Sequence, residues 1–313
     1  MKLKDLGEHT FIRKYLINYT DLNKLDDVYI DGDVGYKLDG FRISYAFNFM
    51  SSYDLGWKSI IAATSDMISK AVKPTNYLVS IGLDKNYEIN QAEDIIRGIS
   101  DAIHYYEGRY VGGDLNDSTC DGWIDVFVEG KVMCNIKNEI GEGDYVLLSD
   151  YIGYTTNIFL SYLNNFKIPI LPKSIIKVKH PIVNKALLYF FKKYCNYIKY
   201  STDISDGLII SLYNIVENFN FGIKINDIPI DDSVMNVLRN HNISESDIIK
   251  YSGEEFIPIL ILDKYSPLEL ILNDLKLLGY NPTIMGRIII GDKLIYRDSN
   301  LKITGWDNFL GWY

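Results

Sequence analysis

No apolar stretch of this 313-residue chain approaches the ~18–20 uninterrupted residues of a membrane span, because Lys and Asp break every one of them. The opening run, Met1-Lys-Leu-Lys-Asp-Leu-Gly-Glu8, has no apolar h-region and so gives no secretory signal. Cysteine is scarce: Cys120, Cys134 and Cys195 are odd in number, far apart, and form no C-x-x-C pair. That spacing argues against a zinc site and against a disulfide framework; three reduced, mostly buried thiols in a cytoplasmic protein are the expectation. The four histidines, His9, His104, His180 and His241, are scattered, and each reads as a surface or structural residue rather than a metal ligand. The usual nucleotide and hydrolase devices are missing too. There is no G-x-x-x-x-G-K-S/T, no G-x-G-x-x-G after a strand, no H-R-D or D-F-G, no H-E-x-x-H and no serine elbow.

Basic surface is also lacking. The formal net charge is −9 and no Lys/Arg run stands out, so a nucleic-acid partner is not expected. An acidic protein still binds anionic nucleotides, through a metal ion or a backbone cradle. Nothing is missing for folding: 47% hydrophobic and 23% charged residues are ordinary globular composition, and the length suits two domains with separate cores.

What is present reads as α/β. Tyr77–Leu83 is a strand candidate, and residues 90–107 carry Ala92, Ile95, Ile96, Ile99 and Ile103 at helical spacing, with Gly108 as the stop. A helix is expected from Gly56 to Val72. Strands are expected at Trp123–Val128 and Tyr145–Leu148. A polar Gly-containing turn over 138–143 marks a boundary, giving domains 1–138 and 139–313. In the second, Pro181 opens a helix to about Cys195, another begins near Asp206, and Ser266-Pro-Leu-Glu269 reads as a capping box for a helix ending at Gly279. Strands near 257–262 and 284–290 complete the layer. Two strand–helix–strand halves of similar size suggest two open-faced α/β sandwich domains.

The chemistry-bearing features are short aspartate turns at element ends: Ile30-Asp-Gly-Asp33, Ser65-Asp66, Gly112-Gly-Asp114 and Asp203-Ile-Ser-Asp-Gly207. Hard cations such as Mg²⁺ take carboxylate oxygens, and phosphoryl transfer asks mainly for positioning and charge neutralisation. Each turn also has a plain explanation, since Gly accepts positive φ and Asp caps its own backbone. Asp66 lies across its helix from the apolar stripe, which suits either a solvated face or a face lining a cleft. At Asp203–Gly207, Ser205 or Asp206 as N-cap of the next helix explains one residue and leaves Asp203 over; a helix N-terminus flanked by two carboxylates suits a metal-bridged phosphate.

The order of these motifs resembles the thiamine-monophosphate kinase family, in the superfamily that also holds aminoimidazole ribonucleotide synthetase. The resemblance runs from about Ile30 to Phe309. Ile30–Asp33 is similar to I-G-D-D; Ser65-Asp66 through Lys73-Pro74 to S-D-x-x-A-M-G-x-x-P; Val111–Asp114 to the G-G-D turn. Glu142-Gly-Asp144 resembles P-G-D, Asp203–Leu208 the hallmark D-I/L-S-D-G-L, Ser252–Phe256 G-G-E-D-Y, and Gly305–Phe309 the terminal G-W/Y-D-H-F. The resemblance implies transfer of a phosphoryl group from ATP to thiamine monophosphate with Mg²⁺, in a homodimer whose amino-terminal strands form a shared barrel. Carried over by position, Asp33, Ser44, Asp66, Asp114, Asp203 and Asp206 would ligate metal, with Asp114 and Asp206 catalytic. Gly113, Asp114, Lys137 and Ser205 would meet ATP, and Tyr53, Glu254 and Trp306 the thiamine end. Lys137 stands where the family has an arginine, keeping the charge without the bidentate fork.

The departures are specific. The family's S-T-D segment is Ser44-Tyr-Ala46 here, so its aspartate is gone. Its substrate-contacting histidine aligns with Tyr53, the asparagine before S-D with Ala63, and Gly-Asp-Ser with Gly153-Tyr-Thr155. Two other readings therefore stay open: a non-catalytic dimer that binds nucleotide or thiamine phosphate, and an ATP-dependent enzyme with a different acceptor.

Overall fold

A computed structural model describes every residue of the chain except Asn23 and Cys120, so the thiol expectation for Cys120 lies outside the described residues. Along the chain come α1 (Leu3–Leu6), α2 (Glu8–Lys14), β1 (Tyr29–Asp31), β2 (Val34–Arg42), α3 (Ser52–Ser69), β3 (Val72–Leu83), α4 (Ile89–Tyr105), β4 (Arg109–Asp117) and β5 (Trp123–Val132). The second half continues with β6 (Tyr145–Leu148), α5 (Tyr154–Leu163), α6 (Pro172–Lys179), α7 (Leu187–Tyr194), β7 (Ile198–Thr202), α8 (Leu208–Phe219) and β8 (Gly222–Ile225). It closes with α9 (Asp232–Arg239), α10 (Glu245–Lys250), β9 (Ile259–Leu262), α11 (Leu268–Leu277), β10 (Thr283–Ile289), β11 (Leu294–Tyr296), β12 (Ser299–Asn300), and the short pair β13 (Trp306–Asp307) and β14 (Gly311–Trp312). Among the described residues, no helix is long and apolar enough to cross a membrane.

The fold is α/β, in two compact units. One holds residues 27–136 and 175–196 around a five-stranded sheet ordered β1-β2-β5-β3-β4. Its one parallel pair, β3 with β4, is bridged by α4 as a parallel crossover requires. The helix α3 begins where the Ser51 hydroxyl accepts the Asp54 N–H and the Asp54 carboxylate accepts the Ser51 N–H, a reciprocal cap that fixes its first turn. Ile60, Ile61, Met67 and Ile68 on α3 and Ile95, Ile99 and Ile103 on α4 are fully buried against the alternate residues Tyr77, Val79 and Ile81 of β3.

The other unit holds residues 1–26, 137–174 and 197–313 around a seven-stranded sheet ordered β12-β11-β8-β10-β6-β9-β7, in which only β11 and β8 run parallel. Its core joins Val146 and Leu148 of β6, Ile259 and Ile261 of β9, and Ile209 and Leu212 of α8.

Both units are discontinuous, which differs from a single cut at 138/139. Residues 175–196 join the five-stranded unit because the Trp57 indole N–H donates to the Pro181 carbonyl and the Tyr106 hydroxyl to that of Val183. The first 26 residues join the seven-stranded unit, where Arg13 pairs with Glu217 at 2.8 Å. Other local expectations are corrected. The stop after α4 is Glu107, at φ 60°, rather than Gly108. The helix expected from Pro181 starts only at Leu187. Pro267 takes the N-cap position of α11 without a side-chain cap, so the expected box does not form. Cys134 and Cys195 are not free thiols: they form a disulfide across 61 residues of sequence, with Cα atoms 5.7 Å apart. That pairing depends on residues 175–196 folding back onto the first unit, which spacing alone does not reveal.

Candidate functional site

The expected site residues fall in both units. In the seven-stranded unit, β7 ends at Thr202 and the turn Asp203–Gly207 leads into α8. The cap of α8 differs from the sequence expectation. Gly207, at φ 125°, holds the N-cap position without a side chain, and the Leu208 N–H donates instead to the Ser252 hydroxyl at 3.1 Å. Ser205 and Asp206 are thus released from capping. Asp203 is buried, and its carbonyl accepts the Ser211 hydroxyl at 2.8 Å; Ser205 is exposed and Asp206 half-exposed.

Two further segments are tied to this turn by backbone hydrogen bonds. The Glu254 N–H donates to the Ser205 carbonyl at 2.6 Å, and the Phe256 N–H to that of Ile204 at 2.8 Å. Both donors sit at positive φ, 55° and 48°, an unusual pair of left-handed residues in one loop. On the other side the Trp306 N–H donates to the Asp206 carbonyl at 2.8 Å. The Trp306 ring packs edge-on to Trp312 with centroids 5.7 Å apart, and Trp312 also meets Tyr251 and Phe159. Gly253 is required here: a Cβ would come within 2.8 Å of the Trp312 ring. Glu255 is fully buried and accepts from the Gly153 N–H at 2.6 Å and the Thr155 hydroxyl at 2.8 Å, fixing the loop rather than facing a ligand.

Sequence reading missed what holds the terminal segment. Asp307, almost fully buried, accepts the N–H groups of Glu8 and His9 at the start of α2, and His9 Nε2 lies 3.1 Å from the Trp306 carbonyl and 3.8 Å from Asp206 Oδ2. The signal was a Gly7-Glu8 helix start with no side-chain cap of its own, which needed an acceptor from elsewhere.

In the five-stranded unit the expected metal residues have different fates. Asp33 lies exposed in the β1–β2 turn, and Asp114 is exposed on the edge strand β4, accepting from the Leu115 N–H and the Asn116 amide. Gly113 is needed by the sheet itself, because a Cβ would meet the Val79 carbonyl at 1.8 Å. Lys137, in the seven-stranded unit, is exposed. Ser44 is bonded through both its N–H and its hydroxyl to Asp121, a carboxylate that sequence reading did not single out. The Tyr53 hydroxyl donates to Asp101 at 2.9 Å and so ties α3 to α4.

Asp66 faces the sheet instead of solvent. It is buried, and its Oδ2 lies 2.5 Å from Nζ of Lys37 on β2, which is also 3.4 Å from Asp39. Burial alone would lower the Lys37 pKa, but the carboxylates of Asp66, Asp39 and Asp27 outweigh it and hold the ammonium well above the ordinary lysine value. The parity of β2 carried this signal: Lys37 and Asp39 share the alternation of buried Gly35. Among the described residues, no group of three or more His, Cys, Asp or Glu is arranged to hold a metal ion. Asp66, already paired to the Lys37 ammonium, does not fit a resident divalent ion.

Residues 26–132 match the family model described as AIR synthase related protein, N-terminal domain. The chain is 24% identical to the thiamine-monophosphate kinase of Pyrobaculum calidifontis over 312 residues, covering 99% of this chain and 98% of that one. It is also 24% identical to that of Aquifex aeolicus, covering 99% and 100%. In fold it superimposes on the structure described as AaThiL complexed with AMPPCP and TMP, with a TM-score of 0.83, 22% identity, and coverage of 98% and 99%. End to end, the chain is similar in sequence to the thiamine-monophosphate kinases and shares the fold of the solved one.

Proposed function

We infer that this chain transfers the γ-phosphoryl group of ATP, carried as its magnesium complex, to thiamine monophosphate, giving thiamine diphosphate and ADP. The observation that carries this reading is the junction in the seven-stranded unit, where the Asp203–Gly207 turn is hydrogen-bonded to both Glu254 and Trp306. It gathers, on one scaffold, groups suited to both ends of the reaction. Thiamine carries a cationic thiazolium ring, and an indole face with a nearby carboxylate suits such a cation; Trp306 and Glu254 take that end. Mg²⁺ bound with a nucleotide needs only one or two protein carboxylates besides the phosphates, and Asp203 and Asp206 supply two. Asp206 neighbours the N-terminus of α8, whose dipole favours phosphate, and the exposed Ser205 hydroxyl is free of capping duty and available to a phosphate oxygen.

Asp33, Ser44, Asp114, Gly113 and Lys137 belong to this proposal as residues of the nucleotide side, and Tyr53 as a residue of the acceptor side. The homodimer belongs to it as well. On the uncovered face of the five-stranded sheet Leu38, Phe127 and Leu78 stand in one row, with Leu38 67% and Leu78 42% exposed, beside a stacked ladder of Tyr29, Tyr36 and Phe127. Such an apolar sheet face suits a second copy of the chain.

The experiment is turnover of thiamine monophosphate with magnesium-ATP. A second reading, a binding protein without turnover, draws on Ala46 in the S-T-D position and on the Lys37–Asp66 pair. It requires both ligands to bind with no thiamine diphosphate formed. Binding of ATP without thiamine monophosphate would instead point to a different acceptor.

A further inference from the structure

Lys37 is planted on the helix-covered face of the sheet. It is in register with Val128 of β5, which is in register with Tyr77 of β3, and both neighbours are fully buried. Across from this row, Thr64 of α3 bonds the Tyr77 hydroxyl at 2.9 Å, and two residues further on Asp66 meets the Lys37 ammonium at 2.5 Å. The Asp66 side chain is 5% exposed and that of Lys37 18%. A second ammonium, Lys70 at the end of α3, lies 3.7 Å from Asp27. The layer between α3 and β2 is therefore a mixed charge network, with cations from the chain itself set among Asp27, Asp39 and Asp66.

A carboxylate oxygen that faces an ammonium at hydrogen-bond distance cannot also face a Mg²⁺ ion at ~2.0–2.1 Å without expelling it. Expelling a lysine from a buried pair leaves an uncompensated charge, which is the costly way to break such a pair. We propose that Lys37 is a tethered cation standing on Asp66 in place of a divalent ion. Asp66 is neutralised by the chain, and the protein binds one divalent ion fewer than a carboxylate-only site at this position would. This rests on the proposed magnesium-dependent kinase function, in which the family resemblance makes Asp66 a metal-ligand position.

The test counts bound Mn²⁺ by electron paramagnetic resonance titration of the full chain with a non-hydrolysable ATP analogue present. Asp66→Asn is expected to bind the same number of ions as the wild type, with affinity within about twofold. Lys37→Met is expected to bind one ion more, and Lys37→Met/Asp66→Asn to return to the wild-type number. The double variant is neutral at both positions and serves if either single variant fails to fold. A loss of one ion, or a tenfold loss of Mn²⁺ affinity, in Asp66→Asn or in the double variant overturns the proposal and leaves the kinase reading standing. No Mn²⁺ bound by any folded variant overturns both.

Discussion

At the scale of single residues, buried charge is tolerated only where it is answered. Asp54 shows the arithmetic. Burial pushes its carboxyl up, but the Ser51 N–H and the Lys179 ammonium at 2.9 Å pull harder, and the net shift is below the usual carboxylate value. A depressed folded-state pKa means stabilisation that is fully present above the unfolded value of ~4 and lost as pH falls through the folded one. Asp54→Asn should cost roughly 1–3 kcal/mol at pH 7, and the gap to wild type should shrink below pH ~4. Urea unfolding at several pH values measures it; a gap independent of pH would remove the charge from the explanation. With Ser51 three positions earlier, Asp54 was open to reading as a helix-start residue, although the helix was expected only from Gly56. Its partners Lys179 and His180 were not, because nothing in sequence brings α6 to the start of α3. Lys37 is the opposite case. The alternation of β2 carries a lysine at buried parity, although no strand was read there, while its partner on α3 has no local signal.

At the scale of elements, α3 and α4 were read to within four residues of their ends because both carry apolar residues three and four apart, while α1, α2, α5, α6, α9 and α10 were not read. What periodicity does not encode is how near two helices approach. Gly56 and Gly98 face each other's helices so closely that a Cβ on either would lie 2.1 Å from a backbone carbonyl, of Ile95 and Tyr53 respectively. Two effects oppose in Gly56→Ala. Helix propensity favours alanine by up to ~1 kcal/mol, and the clash with rigid backbone costs about 2 kcal/mol or more. The clash should win, and Gly56→Ala should lower the denaturation midpoint. A raised midpoint would show that α3 and α4 pack less closely than described. The capping of α8 by Ser252, and of α2 by Asp307, escaped the sequence for a related reason: local rules look for a cap next to the helix, and these come from 44 and 299 residues away.

At the scale of the whole molecule, α/β character was written in the alternation of strand and helix, but the two discontinuous units and the Cys134–Cys195 disulfide were not. Both depend on where 175–196 returns in space. The apolar face of the five-stranded sheet bears on assembly. In sedimentation equilibrium the chain should run at twice its 36.0 kDa, and Leu38→Asp should shift it to a single chain by placing a charge in the row of Phe127 and Leu78. A wild-type monomer would contradict the assignment of that face to a second copy.

The central claim is phosphoryl transfer to thiamine monophosphate, and steady-state formation of thiamine diphosphate from thiamine monophosphate and magnesium-ATP tests it most directly, run beside Asp206→Asn. The account predicts turnover by the wild type and a loss of about 100-fold or more in the variant, with its fold intact. A wild-type protein that binds both ligands and yields no thiamine diphosphate would contradict it.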